Sequence, residues 1–127
     1  MPVNKKWNIL FIEEFTSLFD LSSDVLNQEF KKVDKASSSE ETLKLMDTNK
    51  YDMLISDMSG DVVKGLFLLK ELTDKYPQQV IFALVLEKDE DKLFAIADLG
   101  VNAFQITPEQ FEPAIEEIAK FNPYPDK

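Results

Sequence analysis

Short apolar runs alternate with segments of helical periodicity along the chain, and this alternation restricts the fold more than any other feature. Four apolar runs and one more polar run have the length of strands, and they lie at residues 9–12, 32–36, 51–56, 80–86 and 103–106. Apolar residues recur at three- and four-residue spacing in the segments that follow, at residues 16–30, 38–49, 65–76 and 89–99 and from residue 108 onward. Strands too apolar to face water are typical of a parallel sheet covered by helices on both faces. The pattern therefore predicts a doubly wound α/β fold with five parallel strands and right-handed crossovers.

Local signals indicate where several of the predicted helices begin and end. Ser38 is followed three residues later by Glu41, which is the spacing of a capping box at a helix N-terminus. Pro77 and Gly100 stand where the third and fourth helices should end. Residues 107–110, Thr-Pro-Glu-Gln, combine an N-cap, a proline at the first helical position and a box-completing glutamine.

The length of 127 residues is that of one domain. We expect this domain to span residues 1–121, and residues 122–127 to form a frayed tail. No apolar run approaches the roughly 18 residues of a membrane span, and no segment has the apolar core of an export signal. We therefore expect a cytoplasmic protein without a membrane partner.

Three residue types are absent, and their absence excludes several kinds of chemistry. The chain has no cysteine and no histidine, and all 14 of its basic residues are lysine. Disulfides, thiolate nucleophiles, zinc–cysteine sites, a histidine base and an arginine clamp on phosphate are therefore excluded. The net charge of −10 argues against nucleic acid as a direct partner. Carboxylates, hydroxyls, lysines and the backbone remain for function.

Carboxylates follow two of the predicted strands at their carboxyl ends. Glu13 and Glu14 follow the first strand, and Asp57 follows the third. Ligands of open parallel sheets bind at this edge, and clustered carboxylates repel each other unless a cation lies between them. Mg²⁺ takes one or two carboxylates together with a phosphate, and a carboxylate can also form an aspartyl phosphate. The edge is therefore a candidate site for Mg²⁺ and phosphoryl chemistry.

The positions of these acids resemble the receiver domains of two-component response regulators. Gly65 lies eight residues after Asp57, where receivers usually have a glycine that closes the loop. Residues 97–103 resemble the Ala-x-x-Gly-Ala turn before the fifth strand. Phe104 falls at the family's aromatic switch position, and Pro108 falls at the proline of its Lys-Pro pair.

The resemblance covers about residues 7–121 and implies a flavodoxin-like sheet with the strand order 2-1-3-4-5. It places Asp57 at the phosphoacceptor position and Glu13 and Glu14 at the positions of the metal-binding acids. It makes the backbone carbonyl of Ser59 the third protein ligand of Mg²⁺.

The chain departs from the family at four places around this site. The acidic pair is Glu13-Glu14 where the family usually has two aspartates, and residues 60–61 are Gly-Asp where it has Met-Pro. Val85 stands where a threonine or serine binds the phosphoryl group, and Thr107 stands where a lysine binds it. Loss of the ammonium removes a charge-assisted bond worth about 1.5–3 kcal/mol. We therefore expect weak Mg²⁺ binding, and phosphorylation that is weak, absent or uncoupled from the usual switch positions Val85, Phe104 and Thr107.

The resemblance also implies partners and a mode of action. A histidine kinase or phosphotransfer protein is the expected donor, and a downstream protein is expected on the face of helix four, strand five and helix five. The domain is expected to be a monomer or homodimer that signals by contact and is not an enzyme. Lys64 and Lys88 are candidates to replace the missing lysine.

Simpler interpretations of the same residues remain open. Asp57 is also a suitable turn residue, Glu13 and Glu14 are suitable loop acids, Phe104 suits a partly buried strand, and Thr107 suits a helix cap. If these apply, the chain is a pseudo-receiver, which is a docking or dimerisation module that works without phosphorylation.

Three enzyme classes with related folds are disfavoured by single residues. A flavodoxin needs a glycine-containing phosphate loop after the first strand, and residues 13–17 contain no glycine. A Toprim-type nuclease needs Asp-x-Asp after the third strand, where residues 57–59 read Asp-Met-Ser. A haloacid-dehalogenase-type phosphatase needs an aspartate pair after the first strand, where glutamates stand.

Overall fold

Five parallel strands form one sheet in the computed structural model, which describes residues 6–13, 24–59 and 62–124. The strands are β1 (Asn8–Glu13), β2 (Lys32–Ala36), β3 (Met53–Asp57), β4 (Val80–Val85) and β5 (Asn102–Gln105). Their order across the sheet is β2-β1-β3-β4-β5, and every neighbouring pair is parallel. The predicted flavodoxin-like order 2-1-3-4-5 is confirmed.

Helices follow each strand in the described part of the chain. They are α1 (Val25–Glu29), α2 (Ser39–Thr48), α3 (Val62–Lys75), α4 (Leu93–Asp98) and α5 (Phe111–Lys120), with 3₁₀ turns at Glu87–Lys92 and Pro108–Gln110. Among the described helices, none is long and apolar enough to cross a membrane.

The alternation of side chains along each strand gives the sheet two apolar faces. The face under α1 and α5 is built from Ile9, Phe11, Met53, Ile55, Phe82 and Leu84. The face under α2, α3 and α4 is built from Leu10, Ile12, Leu54, Ile81, Ala83 and Val85. Phe11 meets Phe111 of α5 edge-to-face, with ring centroids 6.0 Å apart. Helices therefore cover both faces, as the doubly wound prediction requires.

The third helix begins earlier than its sequence pattern indicates. The pattern predicts a start at Gly65, after a loop, but α3 begins at Val62 and ends at Lys75. Gly65 therefore lies inside the first turns, where a glycine usually weakens a helix. Gly65 packs closely on Met58: a Cβ at residue 65 would lie 2.9 Å from the Met58 Cε and 3.1 Å from its Cγ, so a larger residue there would require the Met58 side chain to move.

The fourth helix is shorter than the predicted segment 89–99. A 3₁₀ turn occupies Glu87–Lys92, and the α-helix spans only Leu93–Asp98. The sequence of the turn, Glu-Lys-Asp-Glu-Asp-Lys, contains no apolar residue that could pack a helical face on the sheet. The prediction is therefore wrong for the first part of this segment.

The two predicted helix caps are present. Ser38 caps α2 by accepting the Glu41 N–H at 3.1 Å, although the Glu41 carboxylate accepts the N–H of Ser37 and not that of Ser38. Thr107 and Gln110 form the predicted capping box, in which Gln110 Oε1 accepts the Thr107 N–H at 2.9 Å. The sequence predicts the first helix over residues 16–30. Its described part is α1, and residues 14–23 lie outside the described residues.

Residue 124 does not behave as part of a frayed tail. The Tyr124 hydroxyl donates a 2.6 Å hydrogen bond to Asp52, whose other oxygen accepts the Asn8 N–H at 2.7 Å. The Tyr124 ring also packs on Trp7, with centroids 5.9 Å apart. The chain is thus bound to the amino-terminal edge of the sheet, opposite the edge that carries Asp57. Residues 125–127 lie outside the described residues, and the boundary at residue 121 stays a prediction.

Two tyrosine hydroxyls at this edge are expected to make the fold sensitive to alkaline pH. The hydrogen bond to Asp52, followed by burial, raises the pKa of Tyr124 to about 12. Burial, followed by the hydrogen bond to Asp34 at 2.6 Å, raises the pKa of Tyr51. The unfolded chain therefore loses these protons first. The stabilisation is complete below about pH 10 and is lost as the pH rises through the folded-state values.

In Tyr124→Phe, the free energy of unfolding is expected to decrease less between about pH 10 and 12 than it does in the wild type. Urea unfolding at a series of pH values, followed by circular dichroism, measures this slope. An identical slope in the wild type and Tyr124→Phe would show that the bond to Asp52 contributes nothing.

Candidate functional site

One row of paired residues across the sheet contains three of the candidate residues, namely Glu13, Asp57 and Phe104. Glu13 pairs with Asp57, Asp57 pairs with Leu84, and Leu84 pairs with Phe104. Residues in register on parallel strands project to the same face. The row therefore places the Glu13 and Asp57 carboxylates side by side at the carboxyl ends of β1 and β3.

Asp57 is nearly enclosed and is held by its own turn. Its exposed fraction is 5%, and that of Ser59 is 1%. The Asp57 Oδ1 accepts the Ser59 N–H at 2.9 Å and the Ser59 hydroxyl at 2.6 Å. These two bonds fix the direction of the carboxylate at the strand end. The interpretation of Asp57 as a turn residue is therefore compatible with a role as a site residue.

The hydroxyl of Ser59 is the part of this site that sequence reasoning missed. The resemblance gave Ser59 a role through its backbone carbonyl only, whereas the structure adds its N–H and hydroxyl as donors to Asp57. A signal was present in the sequence, because a serine two residues after an aspartate can donate both its N–H and its hydroxyl to the carboxylate in an Asx turn.

Glu13 supplies the second carboxylate, and one of its oxygens has no partner among the described residues. Glu13 Oε2 is buried and accepts no hydrogen bond from any of them. A buried carboxylate oxygen without a donor is costly unless a cation or water satisfies it. The residues present therefore fit Mg²⁺, which usually takes one or two carboxylates in proteins.

The described residues do not include all of the predicted Mg²⁺ ligands. Glu14 lies outside the described residues. Among the residues that are described, no three acidic, histidine or cysteine side chains form a group that could hold a metal. Of the predicted ligands, the described ranges contain Glu13, Asp57 and Ser59, and their role in binding Mg²⁺ stays a prediction.

The predicted switch positions at the ends of β4 and β5 carry no charged donor that could bind a phosphoryl group. Val85 is fully buried in the apolar cluster under α2, α3 and α4. Thr107 is half-buried and begins the 3₁₀ turn before α5, with its N–H bonded to Gln110. The interpretation of Thr107 as a helix cap is confirmed.

Phe104 is a partly buried strand aromatic. It meets Phe82 edge-to-face, with centroids 5.7 Å apart, and packs against the cluster under α1 and α5. Its role as a switch stays a prediction. Lys64 is exposed on α3, and the side chain of Lys88 lies outside the described part, so their role as replacements for the missing lysine stays a prediction.

The sequence matches the response regulator receiver domain family over residues 9–118. The chain belongs to this family. Receiver domains are signalling modules that bind Mg²⁺ at their phosphorylation site and interact with histidine kinases or phosphotransfer proteins and with downstream effectors. No curated protein sequence matches the chain.

Solved receiver structures share the fold of this receiver domain at low sequence identity. The NtrX receiver domain from Brucella abortus has a TM-score of 0.71 and 14% identity, over 91% of this chain and 100% of that chain. A receiver domain protein from Clostridium thermocellum has a TM-score of 0.67 and 23% identity, over 88% and 93%. The chemotaxis response regulator CheY4 of Vibrio cholerae has a TM-score of 0.66 and 20% identity, over 87% and 97%. The chain spans 27% of a longer NtrX structure from Brucella abortus.

Proposed function

We propose that this receiver domain accepts a phosphoryl group on Asp57 and passes the signal on by protein–protein contact. The observation that carries the proposal is the placement of Asp57. It ends β3 at the carboxyl edge of the sheet, in register with Glu13, whose buried oxygen has no described partner. The donor would be a histidine kinase or phosphotransfer protein, and this role would place the domain in the cytoplasm.

The chemistry requires a fixed carboxylate nucleophile. An oxygen of Asp57 attacks the phosphorus of the donor, a new O–P bond forms, and the N–P bond of the donor phosphohistidine breaks as its imidazole leaves. Ser59 holds the carboxylate in position through its N–H and hydroxyl. Mg²⁺ held by Glu13, Asp57 and the Ser59 carbonyl would supply charge neutralisation for the transferred group.

The substitutions at the ends of β4 and β5 predict a weak receiver. Val85 cannot donate a hydrogen bond, and Thr107 has no charge with which to bind a phosphoryl oxygen. The aspartyl phosphate would therefore be less stabilised than in a receiver with the usual threonine and lysine. We infer that the steady-state fraction of phosphorylated protein is low.

A pseudo-receiver is the second candidate function. The enclosure of Asp57 by Ser59, and the burial of Val85 in an apolar cluster, favour a module that docks or dimerises without phosphorylation. In that case the site contributes to folding, and output depends only on surface contacts.

Incubation with acetyl phosphate and Mg²⁺, read by intact mass, tests the proposed function. The wild type is expected to show an adduct of about 80 Da on a minor fraction of the protein, and Asp57→Asn is expected to show none. Asp98→Asn, which makes the same change on an exposed residue of α4, should keep the adduct. An unmodified wild type, when a typical receiver is phosphorylated in parallel, would favour the pseudo-receiver.

A further inference from the structure

An apolar groove lies open between α3 and α4. Two large apolar side chains of α3 are exposed beside it, Phe67 at 75% and Val63 at 52%. The groove has a volume of about 320 Å³ and is lined by Val63, Leu66, Phe67, Lys70, Ala95 and Leu99.

The exposed apolar side of α3 is not part of the buried core. The opposite side of α3 already supplies the buried residues Leu68, Leu69 and Leu72 to the sheet. Val63 and Phe67 are four residues apart and form a second apolar stripe that faces outward. A contiguous exposed apolar stripe beside a groove is typical of an interaction surface rather than of a monomer surface.

The charges around the groove indicate what kind of partner fits it. The chain carries a net charge of −10, so a second copy would bring ten further negative charges to the same interface. On the α4 side, Asp98 is exposed, and in the 3₁₀ turn before α4 the Asp91 carboxylate lies 3.2 Å from the Lys92 ammonium. On the α3 side, the ammonium of Lys70 lies 3.4 Å from Asp74 and is largely neutralised by it. Both ion pairs are neutral overall, so the exposed Asp98 and the net charge of the chain remain, and they oppose self-association and attract a basic partner.

We propose that the α3–α4 groove binds a basic amphipathic helix of a partner protein. The apolar stripe of that helix lies against Phe67 and Val63, and its lysines or arginines face Asp98 on the α4 side. Two helices with a groove between them are the usual receptor for such a helix, which inserts side chains at i, i+3, i+4 and i+7. This surface includes α3 and so differs from the face of α4, β5 and α5 expected from the family resemblance.

A synthetic helical peptide tests the proposal on the unphosphorylated full chain. The probe is a peptide of about 18 residues, long enough for substantial helicity, with leucines on one face and lysines elsewhere. Fluorescence anisotropy of the labelled peptide gives the affinity, and ¹H–¹⁵N NMR shift changes give the location. We expect binding that shifts amides of α3 and α4, and no binding of the same peptide with glutamates in place of lysines.

Two matched pairs of variants separate groove binding from non-specific attraction between opposite charges. Phe67→Ser is expected to weaken binding roughly tenfold or more, because it removes an apolar anchor. Phe94→Ser removes an equally exposed phenylalanine of α4 that does not line the groove, and should change binding by less than about twofold. Asp98→Lys should weaken binding about two- to threefold more than Glu116→Lys, which makes the same charge change on α5.

Three results would overturn the proposal. The first is equal weakening by Phe67→Ser and Phe94→Ser. The second is a set of shift changes centred on α5 or α1. The third is a wild-type dimer, detected by analytical ultracentrifugation, that Phe67→Ser converts to a monomer, because the groove would then be occupied by a second copy.

Discussion

Replacing Thr107 by lysine is expected to raise the fraction of protein phosphorylated by acetyl phosphate about tenfold. The change restores an ammonium at the carboxyl end of β5, which lies two strands and about 10 Å from β3. A lysine side chain at position 107 is long enough to extend towards a phosphoryl group on Asp57, whereas the threonine side chain is too short. A charge-assisted bond to a phosphoryl oxygen is worth about 1.5–3 kcal/mol, which corresponds to roughly ten- to a hundredfold in an equilibrium.

The substitution has a structural cost that must be controlled. Thr107 is the N-cap of the 3₁₀ turn at Pro108–Gln110, and loss of such a cap typically costs about 1 kcal/mol. The bond from the Thr107 N–H to Gln110 Oε1 uses the backbone and is kept. Thr107→Gln removes the same cap without adding charge, so it is the matched control.

Intact mass after incubation with acetyl phosphate and Mg²⁺ measures the phosphorylated fraction. Thr107→Lys should show about ten times the adduct of the wild type, and Thr107→Gln no more than the wild type. Equal fractions in all three proteins would mean that residue 107 does not reach the phosphoryl group. The missing ammonium would then not be the cause of weak phosphorylation.

Replacing Glu13 by glutamine is expected to abolish most of the stabilisation by Mg²⁺. The wild type should unfold at a higher temperature as Mg²⁺ is added, since a ligand that binds only the folded state stabilises it by mass action. Glu13→Gln keeps the size of the side chain but removes the charge from an oxygen that has no described hydrogen-bond partner. We expect the apparent Mg²⁺ affinity to fall about tenfold or more, because Mg²⁺ binds carboxylates far better than amides.

The same variant makes a second prediction in the absence of metal. Because the buried charge of Glu13 is costly when it is not paired, Glu13→Gln should be at least as stable as the wild type in EDTA. Glu116→Gln, on the exposed surface of α5, is the control and should keep the wild-type response to Mg²⁺. A melting temperature that Mg²⁺ raises equally in Glu13→Gln and the wild type would exclude Glu13 as a ligand.

The sequence alone is sufficient for the order of elements, because the hydrophobic period is a local property. The pattern predicts the strand at Lys32–Ala36 with the bounds that the structure shows, and residues within one turn predict the caps at Ser38 and Thr107. The strand order comes from the family resemblance and not from the pattern. The pattern places Asp57 directly after the third strand, and the structure shows it as the last residue of β3.

The predicted start of the third helix is wrong, and Tyr124 makes a contact that the local pattern does not indicate. The pattern starts a helix at Gly65, after a loop rich in serine, glycine and aspartate, but α3 begins at Val62. Residues 122–127 are predicted to form a frayed tail, and within them the Tyr124 hydroxyl donates a hydrogen bond to Asp52, which is 72 residues away in the sequence. A contact between residues so far apart gives no signal in the local pattern.

The composition limits the groups available for chemistry to carboxylates, hydroxyls and lysines, and the hydrophobic alternation predicts a doubly wound sheet. How those groups face one another depends on the tertiary contacts. The register of β1 on β3 sets Glu13 beside Asp57, and the turn after β3 directs the Ser59 hydroxyl onto the Asp57 carboxylate. The packing of α3 leaves Phe67 exposed beside a groove. Local periodicity depends on neighbours along the chain, whereas register, burial and surface shape depend on which distant segments meet.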